Sequence, residues 1–155
     1  MEKLDIYSKG EYPANALSNF FPHAFVFDGV ACGSMEGFLQ ALKYKDPSQQ
    51  REICACTGKQ AKAYGQGRAW WKLTGCLWWQ GKRYFRTSKA FAALVLRAYE
   101  ALYAQNADFR AALAASRGRE LCHSIGGRFR RCTILTEKEF VGCLNALRRG
   151  GDLPS

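Results

Sequence analysis

Residues 16–44, ALSNFFPHAFVFDGVACGSMEGFLQALKY, contain most of the local signals that decide how this chain folds. The apolar run at 24–27 ends at Asp28 and Gly29, a pair typical of tight turns. Val30–Cys32 can then return as the second strand. This part of the chain therefore predicts a β-hairpin and a small antiparallel sheet.

A helix is predicted directly after the hairpin, because Ser34 is a favourable N-cap. Apolar residues then recur at the spacing of one helix face: Met35, Phe38, Leu39 and Leu42. On a neighbouring face, Glu36, Gln40 and Lys43 stand at i, i+4 and i+7. One wall of this helix should therefore present an acid, an amide and an amine together.

The rest of the chain reads as further helices and short strands. Helices are predicted over residues 47–57, 59–64, 88–106, 108–116 and 137–150. Asp46 is the predicted N-cap of the first, Thr87 or Ser88 that of the third, and Thr136 opens a capping box at the last. Strands are predicted at 4–7 and 121–125. The stretch 65–79, rich in glycine and tryptophan, predicts an irregular segment, followed by basic loops at 81–86 and 128–131. These signals predict one compact, mainly helical α+β domain over residues 1–155.

The composition excludes a disordered chain, since 48% of residues are hydrophobic and 14% are aromatic. No apolar run approaches the roughly 18 residues of a membrane span, and the N-terminus lacks a signal-peptide core. We therefore predict a cytoplasmic protein with no membrane contact. The seven cysteines are odd in number and poorly spaced for zinc, which favours reduced thiols and no metal site.

The formal net charge of +10 favours polyanionic partners. Nucleotides, nucleic acids and phosphosugars all fit this charge, and so does a surface that only keeps the protein soluble. Within the predicted helix, Glu36 can polarise water or stabilise a cationic transition state, and Lys43 can hold a phosphate. A first-turn acid also meets the helix dipole favourably, which needs no function.

For the other polar and aromatic residues, a functional and a structural interpretation are both open. Asn19 is either a ligand for a polar ring edge or a turn residue bonded to its own backbone. The tryptophans can stack a base or pack the core: Trp70, Trp71, Trp78 and Trp79. His123 can bind substrate or lie satisfied in the core, but a dyad with Ser124 is rejected, because adjacent residues of an extended segment face opposite ways.

Several of these motifs, in this order, resemble the NADAR (YbiA-like) family of N-glycosidases. The matching residues are Leu17, Ser18, Asn19 and Phe20, then Asp28 and Gly29, then Ser34, Met35, Glu36, Phe38, Gln40 and Lys43, with further likeness at 61–65, 109–113 and 121–124. The resemblance covers most of the chain. It rests on the order of the motifs, since none of them is distinctive alone.

The resemblance implies a compact, largely helical fold and cleavage of a ribose-to-base bond. Family members act on early riboflavin-pathway ribosylaminopyrimidines or remove ADP-ribose from guanine, including guanine in DNA. By similarity, Glu36 is the catalytic carboxylate, and no metal or redox cofactor is required. The remaining candidates bind substrate: Asn19 and Gln40 at the sugar or base, Lys43 and Arg68 at phosphate, Trp70 or Trp71 by stacking, and also Phe20, Gly65, His123 and Ser124.

Two positions depart from the family pattern. Many members have a histidine directly after the catalytic acid, and this chain has Gly37. Riboflavin-type members carry a Trp-Gly-Asp-like stretch where this chain has IGGRF at 125–129. The expected function is therefore an N-glycoside hydrolase that prefers ADP-ribosyl-guanine, in nucleotide or DNA. A non-catalytic module for ADP-ribose or nucleic acid and a purely structural protein stay open as alternatives, as does the oligomeric state.

Overall fold

The computed structural model describes residues 1–151, so the last four residues of the predicted 1–155 domain lie outside the described part. The helices are α1 (Ala14–Leu17), α2 (Met35–Ala41), α3 (Pro47–Cys54), α4 (Gly58–Gly65), α5 (Trp70–Thr74), α6 (Lys89–Gln105), α7 (Ala107–Ala115) and α8 (Glu137–Gly151). The strands are β1 (Lys3–Asp5), β2 (Phe25–Phe27), β3 (Val30–Cys32), β4 (Cys76–Trp79), β5 (Lys82–Phe85) and β6 (Glu120–Cys122). This is the predicted mainly helical α+β fold.

Helix α2 lies at the centre of the hydrophobic core and packs against α3, α4 and α6. The four apolar residues predicted to face inward, Met35, Phe38, Leu39 and Leu42, are all buried. Ser34 caps the helix as predicted, because its Oγ accepts a hydrogen bond from the Gly37 amide at 3.1 Å. A short helix buried this thoroughly is held by its surroundings, so side chains on its remaining face have fixed positions.

The strands form three separate pairs. β2 and β3 form the predicted antiparallel hairpin, in which Phe27 pairs with Val30. β4 and β5 form a second antiparallel hairpin, and β1 runs parallel to β6, so that Asp5 pairs with Cys122. The parallel pair joins the N-terminus to a strand more than 100 residues away in sequence, a pairing that no local pattern predicts.

The prediction of an irregular segment at 65–79 followed by a loop at 81–86 is wrong. These residues contain α5 and the β4–β5 hairpin, whose turn places Gln80 and Gly81 at positive φ angles of 48° and 85°. The sequence signal was weak, because tight hairpin turns favour Asn-Gly or Asp-Gly and rarely use Gln-Gly. Trp79 Nε1 donates to Asp28 Oδ2 at 2.8 Å and thereby ties the two hairpins together.

The starts of α2, α3, α6 and α8 follow the predicted caps, whereas α7 starts one residue early, at Ala107 after the Asn106 cap. The helix and strand ends differ from the predicted ones by a few residues. α3 begins at Pro47 after the Asp46 cap but ends at Cys54, and α8 continues through Gly150 to Gly151. β6 ends at Cys122, so His123 and Ser124 lie beyond the strand. Within residues 1–151, no helix combines the length and apolar character that crossing a membrane requires. All seven cysteines are free thiols.

Candidate functional site

A cleft of about 580 Å³ opens beside α2. Its walls come from α2, α4 and α5, from the segments 7–9 and 18–20, and from the loop that runs from residue 123 to residue 135. This volume lies within the range of small-molecule sites, about 300–1,000 Å³. The lining includes seven of the residues proposed from sequence and resemblance: Asn19, Phe20, Glu36, Gln40, Lys43, Trp71 and His123.

The N-terminal turn of α2 lies directly against the end of α3. A Cβ at Gly37 would stand 2.7 Å from the carbonyl oxygen of Cys54 and 2.8 Å from those of Ile53 and Cys56. Because backbone atoms cannot yield as a flexible side chain can, no side chain fits here. The departure from the family's histidine therefore follows from close helix packing, and any function of that histidine has to come from another residue.

Glu36 is the only acid among the residues that line the cleft. Its Oε1 accepts a 2.7 Å hydrogen bond from Gln40 Nε2, one turn along the same helix. Burial raises the pKa of Glu36, although the bond from Gln40 and the charges of Lys43, Lys62 and His123 act in the opposite direction. A carboxylate with a raised pKa is a better proton acceptor, which suits a general base.

Gly65 belongs to the site but does not line the cleft. It is the last residue of α4 and is buried against the Gln40 side chain. A Cβ at this position would overlap Gln40 Oε1 and stand 3.0 Å from Lys43 Nζ. Gly65 therefore packs behind the Gln40 side chain and holds it in place, rather than lining the cleft as its predicted substrate contact would require.

We expect Gly65→Ala to lower kcat/KM by about 10- to 100-fold, because the added methyl group displaces Gln40 and with it the Glu36 carboxylate. Overpacking of this kind also destabilises the fold by about 1–3 kcal/mol. Gly142→Ala on α8 is the matched control, since its Cβ would meet no atom within 4 Å. Steady-state kinetics and thermal unfolding of both variants measure the difference; equal kinetics would show that Gly65 does not position the wall.

Asn19 is oriented by a buried tyrosine that the sequence reasoning missed. Tyr99 on α6 is fully buried, and its hydroxyl donates to Asn19 Oδ1 at 2.6 Å. Burial raises the pKa of Tyr99 well above its ordinary value, so the hydroxyl stays a donor. The bond from Tyr99 fixes which end of the amide is Oδ1 and leaves the two Nδ2 protons for a ligand acceptor in the cleft. No sequence pattern links two residues 80 positions apart.

Tyr99→Phe should raise KM by about threefold to tenfold with little change in kcat, because Asn19 loses the bond that fixes its amide, worth about 1 kcal/mol. Substrate titration of both proteins measures this separation. Tyr103→Phe on the same helix serves as the control, since that hydroxyl makes no hydrogen bond to any residue of 1–151. A fall in kcat alone would contradict a binding role for Asn19.

The cleft carries a strong positive charge that the sequence reasoning located only in part. Besides Lys43, four lysines line it: Lys9, Lys59, Lys62 and Lys72. Burial lowers the pKa of Lys43, the Glu36 charge raises it and Lys72 lowers it further. The spacing of Lys59 and Lys62 on α4 could have indicated a shared face. Such a group of ammonium ions suits a diphosphate.

Besides Gly65, three proposed substrate contacts lie outside the cleft. The Arg68 guanidinium stacks on the Tyr44 ring at 4.0 Å from its centroid, and Trp70 is 74% exposed on the outer side of α5. Ser124 turns away, since its amide and hydroxyl both donate to Asp5. The structure thus selects Trp71 over Trp70, because neighbouring residues of a helix point in different directions.

Trp71 and His123 line the cleft, and one ring nitrogen of each makes no hydrogen bond within residues 1–151. Trp71 is 4% exposed, and its buried Nε1 has no hydrogen-bond partner among the described residues. His123 Nδ1 lies 2.7 Å from the Ile6 carbonyl oxygen. Within residues 1–151, no group of three or more His, Cys, Asp or Glu side chains is arranged to hold a metal ion.

Comparisons with known proteins agree on the fold. The family model described as bacteriophage protein GP30.3 matches residues 11–149. An uncharacterized 17.1 kDa protein of the Gp30–rIII intergenic region of enterobacteria phage T4 is 44% identical over 149 residues, covering 96% of this chain and 98% of its own length. The NMR structure of the E. coli protein YbiA is similar with a TM-score of 0.65 at 18% identity, over 96% of this chain and 84% of that chain. The chain therefore belongs to the bacteriophage GP30.3 protein family and has the YbiA-like fold of NADAR proteins.

Proposed function

We propose that this protein is an N-glycoside hydrolase that cleaves the ribose-to-base bond of an ADP-ribosylated or ribosylated base. The observation that carries the proposal is one half-buried carboxylate, Glu36, in a cleft whose lining also includes five lysines, two side-chain amides and several aromatic rings. A phosphorylated riboside needs these features together: cations for its phosphates and a single anion at its sugar.

The charge around Glu36 fits the bond that breaks. As the C–N bond lengthens, the anomeric carbon becomes positively charged, and a nearby carboxylate stabilises that charge. Glu36 can also accept a proton from the attacking water, since its Oε2 has no hydrogen-bond partner among the described residues. Gln40 holds the other oxygen and so fixes the direction of the carboxylate.

The five cleft lysines support a substrate with more than one phosphate. ADP-ribose carries a diphosphate between its two riboses, whereas a riboflavin-pathway ribosylaminopyrimidine carries a single phosphate. The loop in which this chain departs from riboflavin-type members also borders the cleft, through Ile125, Gly126 and Gly127. Both features favour ADP-ribosyl-guanine, as a nucleotide or within DNA, as the substrate.

A non-catalytic module that binds ADP-ribose or nucleic acid is the second candidate, because the same lysines and Trp71 would serve binding alone. Chromatography of the products from a panel of substrates separates the two. The panel contains ADP-ribosylated guanosine, ADP-ribosylated DNA and a ribosylaminopyrimidine phosphate. We expect the first two to yield free ADP-ribose and unmodified guanine that stays in its nucleoside or DNA; binding without cleavage of any ribose-to-base bond would favour the module.

A further inference from the structure

Three contacts fix His123 and leave its ring nitrogen Nε2 for a ligand in the cleft. Its Nδ1 donates to the Ile6 carbonyl oxygen at 2.7 Å, because a carbonyl can only accept. Its backbone amide donates to Glu137 Oε2 at 2.6 Å, and its ring meets Phe140 edge-on at 5.3 Å. Nε2 has no partner among the described residues, although the side chain lines the cleft.

The loop after His123 is shaped around this ring. The Gly126 amide donates to the His123 carbonyl oxygen at 2.9 Å, which turns the chain back over the imidazole. A Cβ at Gly126 would stand 2.7 Å from His123 Cδ2, the carbon bonded to Nε2. The loop therefore packs closely at the Cδ2 edge of the ring and limits how far Nε2 can move.

We infer that His123 is a catalytic residue that donates a proton from Nε2 to the departing base. The inference rests on the proposed function, which needs a proton or hydrogen bond for the leaving base and has only one carboxylate. Imidazole takes up and releases protons near neutral pH, unlike the amides of Asn19 and Gln40.

His123 and Glu36, the group proposed to activate water, belong to different parts of the chain. Glu36 lies on α2 and Lys43 in the turn that follows it, whereas His123 enters the cleft from the segment after β6. Glu36 and His123 interact electrostatically, and no hydrogen bond joins them. A riboside between them would have water on the Glu36 side and its base on the His123 side, the arrangement of two groups that flank a scissile glycosidic bond.

The proposed step is balanced in atoms and electrons. The reacting form of His123 carries a proton on both ring nitrogens, since Nδ1–H stays bonded to the Ile6 carbonyl oxygen. The C–N bond breaks, its electron pair goes to the base, and the base takes the Nε2 proton, which leaves a neutral ring protonated at Nδ1. A water oxygen bonds to the anomeric carbon and gives one proton to Glu36. The products are the base, which for ADP-ribosylated guanine stays in its nucleoside or DNA, and a ribose hydroxyl, and the proton on Glu36 returns to His123 through solvent.

Two substitutions at His123 test proton transfer separately from the hydrogen bond that anchors the ring to Ile6. His123→Asn places an amide nitrogen near the position of Nδ1 and can keep the bond to Ile6, whereas His123→Gln places one near Nε2. Neither amide can give up a proton. We expect both to lower the single-turnover rate of base release by about 10²- to 10⁴-fold, while the Kd of ADP-ribose changes by less than about threefold.

Retention of the single-turnover rate by either variant would overturn the inference. Gly126→Ala gives an independent test that leaves His123 itself in place. It should lower the rate more than about tenfold in the wild-type background and cause no further loss in His123→Asn, because coupled residues are not additive. Equal losses in both backgrounds would also overturn it. If the wild-type protein releases no base at all, the proposed function fails instead; release that needs Glu36 but not His123 rejects this inference alone.

Discussion

Glu36→Gln is expected to lower the rate of base release by about 10²- to 10⁴-fold, because an amide can neither accept a proton from water nor carry the negative charge that stabilises the sugar cation. Its oxygen can still accept the hydrogen bond from Gln40. The substitution thus keeps the shape of the helix wall and removes its charge. Chromatographic detection of released base under single-turnover conditions measures the effect.

Binding and stability should respond differently from catalysis in this variant. ADP-ribose should bind at least as tightly, since the lysines remain and a negative charge near the phosphates is gone. The Tm should stay equal or rise: burial raises the pKa of Glu36, so its charged form destabilises the fold at neutral pH and Gln does not. Glu52→Gln on the exposed side of α3 is the control for charge loss. Unchanged turnover in Glu36→Gln would remove this residue from the mechanism.

Arg86→Met is expected to lower the free energy of unfolding by about 3–5 kcal/mol and the Tm by about 6–15 °C. The Arg86 side chain is 2% exposed and donates two hydrogen bonds to Glu139, at 3.0 and 2.5 Å. Its Nε also donates to the Thr133 carbonyl oxygen at 3.0 Å. Removing the guanidinium leaves a partly buried carboxylate unpaired and releases the loop that borders the cleft. Thermal and urea unfolding measure the loss.

Arg97→Met provides a matched control at the surface. Arg97 pairs with Asp28 at 3.2 Å, but its side chain is 52% exposed, so the loss should stay below about 1 kcal/mol. If both variants lose a similar amount of unfolding free energy, burial of the Arg86–Glu139 pair adds nothing to its stabilising effect. Replacing Arg86 and Glu139 together with apolar residues should recover part of the loss, because no unpaired charge remains.

The stabilisation from the Arg86–Glu139 pair should also depend on pH. Burial alone would raise the pKa of Glu139, but hydrogen bonds from Arg86 and Thr136 and the Arg86 charge outweigh it and lower the pKa below the ordinary 4.5. A lowered pKa means that the stabilisation is fully present above about pH 4.5 and is lost as the pH falls through the folded-state value. The difference between wild type and Arg86→Met should shrink over that range.

Local signals predicted much of the secondary structure. The β2–β3 hairpin, the capped start of α2 and the capping box of α8 follow from residues within four positions of one another. Thr136 Oγ1 accepts from the Glu139 amide at 3.1 Å, and Glu139 accepts from the Thr136 amide at 2.9 Å. Such contacts form whenever the short segment adopts its preferred conformation, so their signature is visible in sequence. The hairpin turn at Gln80 was missed because its residues are uncommon there.

Taken by itself, the sequence determined that Glu36 and Gln40 share one wall of α2, since helical spacing fixes which residues share a face. Lys43, predicted on the same wall, lies in the turn just after the helix. Only the tertiary structure decided what stands opposite that wall. It brought His123 and the loop glycines to the cleft through the parallel β1–β6 pair, set Tyr99 behind Asn19, chose Trp71 over Trp70 and placed Gly65 behind Gln40. These contacts join residues between about 20 and 120 positions apart, and chain packing rather than local preference determines them.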